Sequence, residues 1–345
     1  MFDDMRSRLE AYYARAYPAR QHIRVTRLDN TTTGWETEIY SFDIEYEQAG
    51  GLRSDALIMR VYPGADARVR AAHEFRNLQE LHAMGYPVPR VVLLERESSG
   101  FNQPFILMER IEGEVMWTPL GNASPNEQQH LLRQLCILLV RLHRLDWRPF
   151  GTHASHNVLQ NPYSFTDQAL SLALDYHQHF PEVGMLPIIK WLEARRHMVP
   201  CAHLSPVHWD FHPGNILLRP DGVAVVIDWS SLTVSDSRFD LAWSLLLVLS
   251  HSGVEMRDRL LQEYERVAGA VVEQLEFFEV FACARRLFST AVSLSGGAER
   301  LGLRPSAARM MKYNRVKFER VYNLLRQRTG IRIAETERML SSLPQ

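Results

Sequence analysis

The spacing of hydrophobic residues over the first part of the chain predicts a small domain that mixes helices and strands. Apolar residues recur at helical spacing from Phe2 to Tyr13, and Pro18 then interrupts the pattern. A helix is therefore expected over residues 2–17. Apolar and polar residues alternate over 40–46, which is the period of a half-buried strand. Further strands are expected at 57–62, 91–94 and 105–108, and a further helix at 66–84.

The pattern becomes mainly helical from about Gly113 onward. Leucines at five positions between 131 and 145 step by four and three residues, which predicts an amphipathic helix over 125–145. A short apolar run at 223–227 predicts one buried strand, and helical patterns fill the chain after Phe239. We therefore expect an α+β fold, with an N-terminal lobe over residues 1–112 and a mostly helical C-terminal lobe over residues 113–345.

Length and composition narrow the class of protein. A chain of 345 residues is too long for one small core, which agrees with two lobes. Its 39 basic and 40 acidic residues nearly cancel, whereas a general nucleic-acid binder would be clearly basic. The three cysteines form no CxxC pair, so neither a disulfide framework nor a cysteine zinc site is expected.

The sequence favours a cytoplasmic protein that does not enter a membrane. The N-terminus lacks the basic start and the apolar stretch of a signal peptide. The longest apolar run, residues 241–249, has about half the length that a bilayer requires, and it predicts a buried helix. The expected partner is thus a small molecule, and neither nucleic acid nor a membrane is expected to bind.

One polar stretch, residues 207–243, carries the most informative chemistry. Asp210 and Asn215 lie at the two ends of a short loop, and Asp228 follows the next predicted strand. Such a loop can direct both of its side chains into one cleft, which the third side chain can also reach. Amide and carboxylate oxygens suit a magnesium ion bound to a nucleoside triphosphate, and Asp210 could accept the proton of an incoming hydroxyl. Phosphoryl transfer requires little beyond such positioning and charge neutralisation.

The same stretch resembles the catalytic loop and metal-binding segment of aminoglycoside phosphotransferases, choline kinases and related small-molecule kinases. The resemblance implies a protein-kinase-like bilobal fold, in which a small antiparallel sheet forms the N-lobe, and it implies ATP and Mg²⁺ as cofactors. It also implies that Asp210 is the catalytic base and that Asn215 and Asp228 are the magnesium ligands. His208 would brace the loop through hydrogen bonds, and Asp240 would support the structure.

The N-terminal lobe contains candidates for binding the nucleotide phosphates. Arg60 lies within an apolar strand, and Glu74 lies on the apolar face of the following helix. Each charge needs a partner in such surroundings, so we expect the two to pair and the arginine to bind phosphate. An ion pair with a purely structural role is the alternative.

Two further segments of this lobe are candidates for nucleotide contacts. Thr32, Thr33 and Gly34 lie in a loop whose hydroxyl and backbone N–H groups could contact phosphate, although a plain hairpin turn would read the same way. The resemblance implies that the segment joining the lobes binds adenine through main-chain groups. Its candidate residues are Met108, Glu109 and Ile111.

Two other functions remain open at this point. A kinase-like module could bind nucleotide without catalysis, since the phosphate loop has one glycine where protein kinases have three. A zinc-dependent hydrolase could use His208, Asp210 and His212 as ligands, although this leaves Asn215 and Asp228 without a role.

Charge distribution gives the only indication of the acceptor. Residues 251–345 contain 11 acidic and 16 basic side chains, a local balance of +5. This favours a neutral or anionic hydroxyl compound over a polycationic aminoglycoside. Two basic groups, Arg285–Arg286 and the run of Lys312, Arg315 and Lys317, could face a phosphate-bearing acceptor or a partner, or they could lie on a solvated helix face.

Overall fold

The structure is a computed structural model that describes residues 2–31, 37–96, 101, 103–151, 161–301 and 311–344. The chain divides into two compact units. The first unit comprises Met1–Glu114 and Leu217–Ser230, and the second comprises Val115–Ile216 and Ser231–Gln345. Residues 217–230, which the sequence pattern places with the C-terminal part, therefore fold with the first unit.

The first unit is built on an antiparallel sheet. Among its described residues the sheet has five strands in the order β1-β2-β3-β5-β4. Two helices accompany the sheet. The elements are α1 (Phe2–Ala16), β1 (Gln21–Asn30), β2 (Glu38–Gln48), β3 (Gly51–Val61), α2 (Ala67–Ala83), β4 (Val91–Glu95) and β5 (Phe105–Glu109).

One face of this sheet and helix α1 enclose the core of the first unit. The alternation read from the sequence of β2 places Phe42 and Ile44 on the covered face, and Leu57 and Met59 join them from β3. Helix α1 contributes Leu9, which is fully buried in the same cluster. The periodicity of residues 2–17 and 40–46 is thus confirmed by the elements that it predicts.

Helix α2 ends at a glycine, as the sequence indicates. Gly85 has φ of +71°, a conformation that side chains other than glycine rarely adopt. Its N–H donates to the carbonyl of His82, and the N–H of Tyr86 donates to the carbonyl of Leu81, each at 2.9 Å. These bonds satisfy the last carbonyls of the helix and turn the chain toward β4.

Residues 217–230 are attached to the first unit by backbone and aromatic contacts. Two short strands, β8 (Ile216–Leu218) and β9 (Ala224–Val226), are neighbours in a sheet of order β6-β8-β9, in which β6 is Glu114–Val115. The N–H of Val226 donates to the carbonyl of Pro87 at 2.9 Å. Trp229 is buried and meets the ring of Tyr86 edge-on, with centroids 5.6 Å apart. Trp229 is therefore a core residue that anchors its neighbour Asp228.

The second unit is mainly helical, with one small antiparallel sheet of β7 (Leu204–Val207) and β10 (Thr233–Asp236). Its helices within the described residues are α3 (Trp117–Asn122), α4 (Pro125–His143), α5 (Ser164–His179), α6 (Leu186–Arg195), α7 (Ser237–Ser252), α8 (Val254–Ala268), α9 (Leu275–Val292), α10 (Arg315–Thr329) and α11 (Ala334–Ser342).

Helix α7 lies at the centre of the second unit. Its residues from Phe239 to Ser250 are all buried, and it packs against α8, α9 and α10. This is the apolar run that the sequence predicts to be a buried helix. Within the described part of the chain, every helix is too short or too polar to cross a bilayer.

Helix α4 shows how local signals and burial cooperate in this unit. Ser124 forms a capping box with Glu127, so the first turn has side-chain partners for its backbone N–H groups. Four of the five predicted leucines, at 131, 135, 138 and 142, are buried along the helix, which packs against α8. The fifth, Leu145, lies beyond the end of the helix at His143 and is half-buried. The amphipathic pattern at 125–145 is thus confirmed.

We expect Leu135→Ala to destabilise the protein by about 2–5 kcal/mol, because the side chain is fully buried and its loss leaves a cavity. The control is Ile137→Ala on the same helix, where the side chain is 44% exposed and the loss should be far smaller. Chemical denaturation of both variants measures the difference. Equal losses would contradict this placement of α4.

Candidate active site

The first unit contains a buried arginine that is bonded in three directions. Arg60 on β3 is 7% exposed. Its Nη1 donates to Glu74 Oε1 at 3.0 Å, and its Nη2 donates to Asp228 Oδ1 at 2.7 Å. Its Nε donates to Thr37 Oγ1 at 3.0 Å. The Arg60–Glu74 pair predicted from sequence is therefore formed, whereas the contact with Asp228, 168 residues away in the chain, was not predicted.

Glu74 is the buried anchor of this group. The carboxylate is 1% exposed, and its Oε2 accepts a hydrogen bond from the Tyr62 hydroxyl at 2.6 Å. Burial lowers the pKa of Arg60, but Asp228 and Glu74 outweigh burial and raise the pKa above its ordinary value. Burial and the adjacent Glu74 carboxylate raise the pKa of Tyr62. The arginine therefore stays charged and the tyrosine stays a hydrogen-bond donor.

Asp228 is the exposed end of the same group. Its side chain is 41% exposed, and its backbone has φ of +67°, in the left-handed region. Non-glycine residues rarely take this conformation, and where they do the surrounding structure must hold them there. The anchoring of Trp229 and the bond to Arg60 provide that support. One carboxylate oxygen of Asp228 is therefore bonded to Arg60, while the side chain as a whole remains accessible to solvent.

The candidate adenine-binding segment continues the sheet. Met108 lies in β5 and is 8% exposed. The N–H of Glu109 donates to the carbonyl of Arg90, and the N–H of Arg110 donates to the carbonyl of Ala56, each at 2.9 Å. A base that binds here must therefore use other main-chain groups, such as those around Ile111. Thr32, Thr33 and Gly34 lie outside the described residues.

Gly113 follows this segment at a position where a side chain would not fit. A Cβ atom on it would lie 2.7 Å from the carbonyl oxygen of Leu218. The glycine thus permits the close approach of the two backbones in the first unit.

The loop of the second unit that follows β7 is held by a buried carboxylate. Asp240 is fully buried on α7, and it accepts hydrogen bonds from the N–H of His208 at 2.6 Å and from the N–H of Trp209 at 2.7 Å. Trp209 has φ of +68°, so this clamp fixes a second left-handed residue. His143 Nε2 lies 3.4 Å from the same carboxylate.

His208 links this clamp to the next residue of the loop. Its side chain is fully buried, and its Nδ1 accepts a hydrogen bond from the N–H of Asp210 at 3.3 Å. This contact joins the buried ring to the backbone of the loop.

Asp210 follows on this loop and is partly exposed. Its side chain is 40% exposed, and its Oδ1 accepts a hydrogen bond from Trp243 Nε1 at 2.7 Å. Its Oδ2 lies 3.6 Å from His212 Nε2. Burial raises the pKa of Asp210, but His212, helped by Arg285 and His208, outweighs burial and holds the pKa well below the usual range. The group is therefore a carboxylate at neutral pH.

Asn215 is oriented by the same loop. Its Nδ2 donates to the carbonyl oxygen of Asp210 at 2.9 Å and to Asp210 Oδ2 at 3.3 Å. Because the amide nitrogen makes both contacts, Oδ1 is the atom of the side chain that can bind a cation. An amide oxygen of this kind is a hard ligand that suits magnesium.

The geometry does not support the zinc alternative. His212 Nδ1 accepts a hydrogen bond from the N–H of Gly214 at 2.9 Å, and His208 Nδ1 accepts one from Asp210. Within the described ranges, no group of three His, Cys, Asp or Glu side chains is arranged to hold a metal ion. His208, Asp210 and His212 belong to those ranges.

Sequence reasoning missed two contacts around Asp210. Trp243, which donates to its carboxylate, comes three residues after Asp240 on one helix face, and that spacing was a usable signal. Arg285 Nη1 donates to the carbonyl of Trp209 at 2.8 Å, and its guanidinium lies over the Trp243 ring at 4.0 Å. Arg285 lies 76 residues after Trp209 in the chain, so the local sequence pattern could not indicate this contact.

The chain matches the model of the phosphotransferase enzyme family, APH, over residues 41–278. That match spans more than half of the chain and ends before Arg285. Among curated proteins, the chain is similar to acyl-CoA dehydrogenase family member 10 of Mus musculus, with 28% identity over 185 residues. This alignment covers 50% of the chain and 16% of the mouse protein. Across six relatives of this kind the chain spans 16% to 34% of their length.

Solved structures of aminoglycoside phosphotransferases share the fold. The GDP and kanamycin complex of APH(2")-IIIa is 14% identical, with a TM-score of 0.58 over 93% of this chain and 97% of that one. A thermostable APH(4)-Ia mutant in a ternary complex with ADP and hygromycin B is 15% identical, with a TM-score of 0.55 over 92% and 98%. At these identities the likeness establishes the protein-kinase-like fold alone.

We expect Asp240→Asn to destabilise the protein by about 3 kcal/mol or more, because an amide places N–H groups against the backbone donors of a buried site. Asp210→Asn should change stability by about 1 kcal/mol or less, because that side chain is partly exposed. Denaturant titration of the two variants provides the comparison. A larger loss for Asp210→Asn would contradict the division into a structural and an exposed carboxylate.

Proposed function

The chain belongs to the phosphotransferase enzyme family, and on that premise we propose that it transfers the γ-phosphate of ATP to a hydroxyl group of a small molecule. The observation that carries this proposal is the geometry of Asp210. Its carboxylate is partly exposed, ionised and hydrogen-bonded to Trp243 and Asn215, on a loop that the buried Asp240 fixes. An oriented carboxylate of this kind suits an incoming hydroxyl group.

The proposed reaction forms a bond between the acceptor oxygen and the γ-phosphorus. The bond from that phosphorus to the bridging β–γ oxygen breaks, and ADP leaves with the electron pair. The hydroxyl proton passes to Asp210. A carboxylate with a lowered pKa is a weak base, which suits a loose transition state in which the acceptor proton is lost late. Its main contribution is then to orient the hydroxyl.

The first unit supplies the proposed contacts to the nucleotide. Arg60, held by Glu74, would bind the α- and β-phosphates with the Nη hydrogens other than those bonded to Glu74 and Asp228. Thr32, Thr33 and Gly34 are proposed to contact the phosphates. Main-chain groups of the segment that contains Met108, Glu109 and Ile111 are proposed to bind adenine.

Magnesium is the proposed metal cofactor. Asp228 of the first unit and Asn215 of the second would act as its ligands, since each offers an oxygen atom of the type that Mg²⁺ prefers. When bound, the ion would neutralise the charge that develops on the phosphate oxygens. The chain's own contribution is to keep both side chains oriented through Arg60 and through the loop around Asp210.

The similar proteins support the proposed phosphate donor, but they do not identify the acceptor. The solved structures that share the fold hold GDP or ADP, which supports a nucleotide as phosphate donor. They also hold kanamycin or hygromycin B, but their identities of 14% and 15% do not carry an acceptor to this chain. The curated relatives named as acyl-CoA dehydrogenases extend far beyond the length matched here, and no dehydrogenase activity is proposed for this chain.

We expect Mg²⁺-ATP to raise the melting temperature of the wild-type protein and to have little effect on Asp228→Ala. A ligand that binds only the folded state stabilises it, by about 2.7 kcal/mol at a hundred times its Kd. The control is Asp221→Ala, which removes an exposed carboxylate from the turn between β8 and β9. No magnesium-dependent shift in wild type, or an unchanged shift in Asp228→Ala, would count against the proposed metal ligand.

We expect Asp210→Asn to lower phosphoryl transfer by roughly 10²–10⁴-fold while the Mg²⁺-ATP thermal shift stays close to that of wild type. The asparagine cannot accept the proton, but the loop around it keeps its backbone bonds to Asp240. ADP release in the presence of a panel of hydroxyl compounds measures the rate. Asp175→Asn, an exposed change on α5, is the control. Normal turnover by Asp210→Asn would show that another group acts as the base.

A further inference from the structure

We propose that the acceptor carries an anionic group, either a carboxylate or a phosphate, and that Arg286 and Lys317 bind it beside Asp210. This inference rests on the function proposed above and specifies its substrate class. The two residues lie on helices α9 and α10 of the second unit, the unit that also contains Asp210. We call Arg286, Lys317 and the adjoining Arg320 the basic cluster.

The packing of three helices brings the basic cluster together. Helix α9 packs against α7 and α10, and α10 also packs against α7. The guanidinium of Arg286 lies 5.4 Å from the centroid of the Phe318 ring. Phe318 is the residue that follows Lys317 in the chain. Arg320 Nη1 donates to the carbonyl of Ser250, near the end of α7, at 3.0 Å. These contacts direct Arg286 and α10 toward the same region of the unit.

A short chain of contacts connects this region to Asp210. Arg285, the neighbour of Arg286, lies over the Trp243 ring, and Trp243 donates to Asp210. On the other side, Trp117 stacks on His251 at 4.7 Å and on His212 at 6.4 Å between ring centroids. His212 is the side chain that lies 3.6 Å from the Asp210 carboxylate. Asp210 is thus connected to the region of the basic cluster by two routes. One runs through Trp243 and Arg285. The other runs through His212, Trp117 and His251.

Burial is the main influence on the charges of Arg286 and Lys317. Burial lowers the pKa of Arg286; the nearby Asp210 carboxylate opposes that change, and Arg285 adds a smaller lowering effect. Burial, Arg286 and Arg320 all lower the pKa of Lys317. Each of the two cations is therefore held in surroundings that disfavour its charge. An anion bound between them would relieve that cost.

His251 adds no positive charge to this region at neutral pH. Partial burial against Trp117, together with the charges of Lys317, Arg286 and His212, lowers the pKa of His251 to about 4. The ring is then neutral and forms a flat wall with Trp117. The positive charge of the region therefore comes from its arginine and lysine side chains.

Basic side chains elsewhere in the second unit show a different arrangement. Arg257 and Arg328 both bond to Glu279, and Arg315 bonds to Glu319. Among the ion pairs of the described residues, Lys317 belongs to none. Those three arginines are thus neutralised by carboxylates, whereas Lys317 has Arg286 and Arg320 as its charged neighbours. A region of one sign attracts a ligand of the opposite sign and repels a polycation.

The chemistry of the cluster fits carboxylates and phosphates alike. A guanidinium offers a planar fork that matches either group, and a lysine adds a point charge. The acceptor class is thus a small hydroxyl compound with one such group. The experiments therefore use carboxylate-bearing and phosphate-bearing compounds side by side, so that the two classes can be distinguished.

The first test measures anion binding without any acceptor chemistry. Inorganic phosphate and malonate are titrated in thermal-shift assays against the protein saturated with Mg²⁺ and a non-hydrolysable ATP analogue, so that the nucleotide site is filled. We expect at least one anion to stabilise wild type and to lose most of that effect in Arg286→Gln and Lys317→Gln. Arg326→Gln on α10 and Lys190→Gln on α6 are exposed controls that should resemble wild type.

Two results of that titration would overturn the proposal. One is that neither anion stabilises wild type, and the other is that both cluster variants respond as fully as wild type. If Arg286→Gln does not fold, Arg286→Lys and Lys317→Gln decide the matter, because the lysine retains the charge and should retain binding. Stabilisation by phosphate alone indicates a phosphate-bearing acceptor, and stabilisation by malonate indicates a carboxylate-bearing one.

The second test compares turnover of matched acceptors, namely glycerol with glycerol 3-phosphate and lactamide with lactate, and includes kanamycin as a polycation. We expect turnover to favour the charged member of a pair, and Lys317→Gln to raise the acceptor KM about tenfold without changing the KM for ATP. Preference for a neutral member or for kanamycin would overturn the proposal. If no member reacts, the anion titration decides.

Failure of the proposed function can be distinguished from failure of this inference. In the first case, wild type would show no thermal shift with Mg²⁺-ATP. The anion titration can still be run without nucleotide.

Discussion

A buried carboxylate needs hydrogen-bond donors, and in the second unit the donors of Asp240 are backbone N–H groups of the loop that forms the candidate active site. Asp240 is fully buried and takes its donors from the backbone of His208 and Trp209. The bonds hold Trp209 in a left-handed conformation, and this turn brings the next residue, Asp210, to the surface. The buried carboxylate of Asp240 thus fixes the loop that carries the partly exposed carboxylate of Asp210.

The first unit uses the same principle with the opposite charge. There the buried group is Arg60, which is bonded to Thr37, Glu74 and Asp228. Glu74 is buried with it, whereas the side chain of Asp228 remains 41% exposed. Each unit thus combines a buried charge, which sets geometry, with a partly exposed carboxylate, which remains able to bind or react. Removing a buried partner would leave an uncompensated charge, which is why such groups tolerate little change.

The sequence predicted those parts of the fold and site that depend on neighbouring residues. Helical and alternating periodicities located α1, β2, α4 and α7, because burial on one face imposes a repeat that can be read directly. The pairing of Arg60 with Glu74 followed from the cost of two charges on apolar faces. Strands β7 and β10 were missed, since four residues are too few to show a period.

Contacts between residues distant in the chain could not be predicted in this way. The bond between Arg60 and Asp228 depends on Trp229 being buried in the first unit, and nothing near Asp228 in the sequence specifies which core its tryptophan enters. The contact of Arg285 with Trp209 likewise depends on how α9 packs against α7. Such contacts are set by tertiary packing, which local patterns do not encode.

The discontinuity of the first unit has a consequence for how the chain is made. At a synthesis rate of about 5–20 residues per second, residues 217–230 leave the ribosome roughly 5–20 s after the end of the first stretch at Glu114. During that interval Arg60 has its acceptors on Thr37 and Glu74 but lacks the carboxylate of Asp228. The first unit therefore cannot be completed before the whole stretch Val115–Ile216 of the second unit has been synthesised. Until residues 217–230 emerge, the carbonyl of Pro87 lacks the N–H of Val226, and the ring of Tyr86 lacks its contact with Trp229.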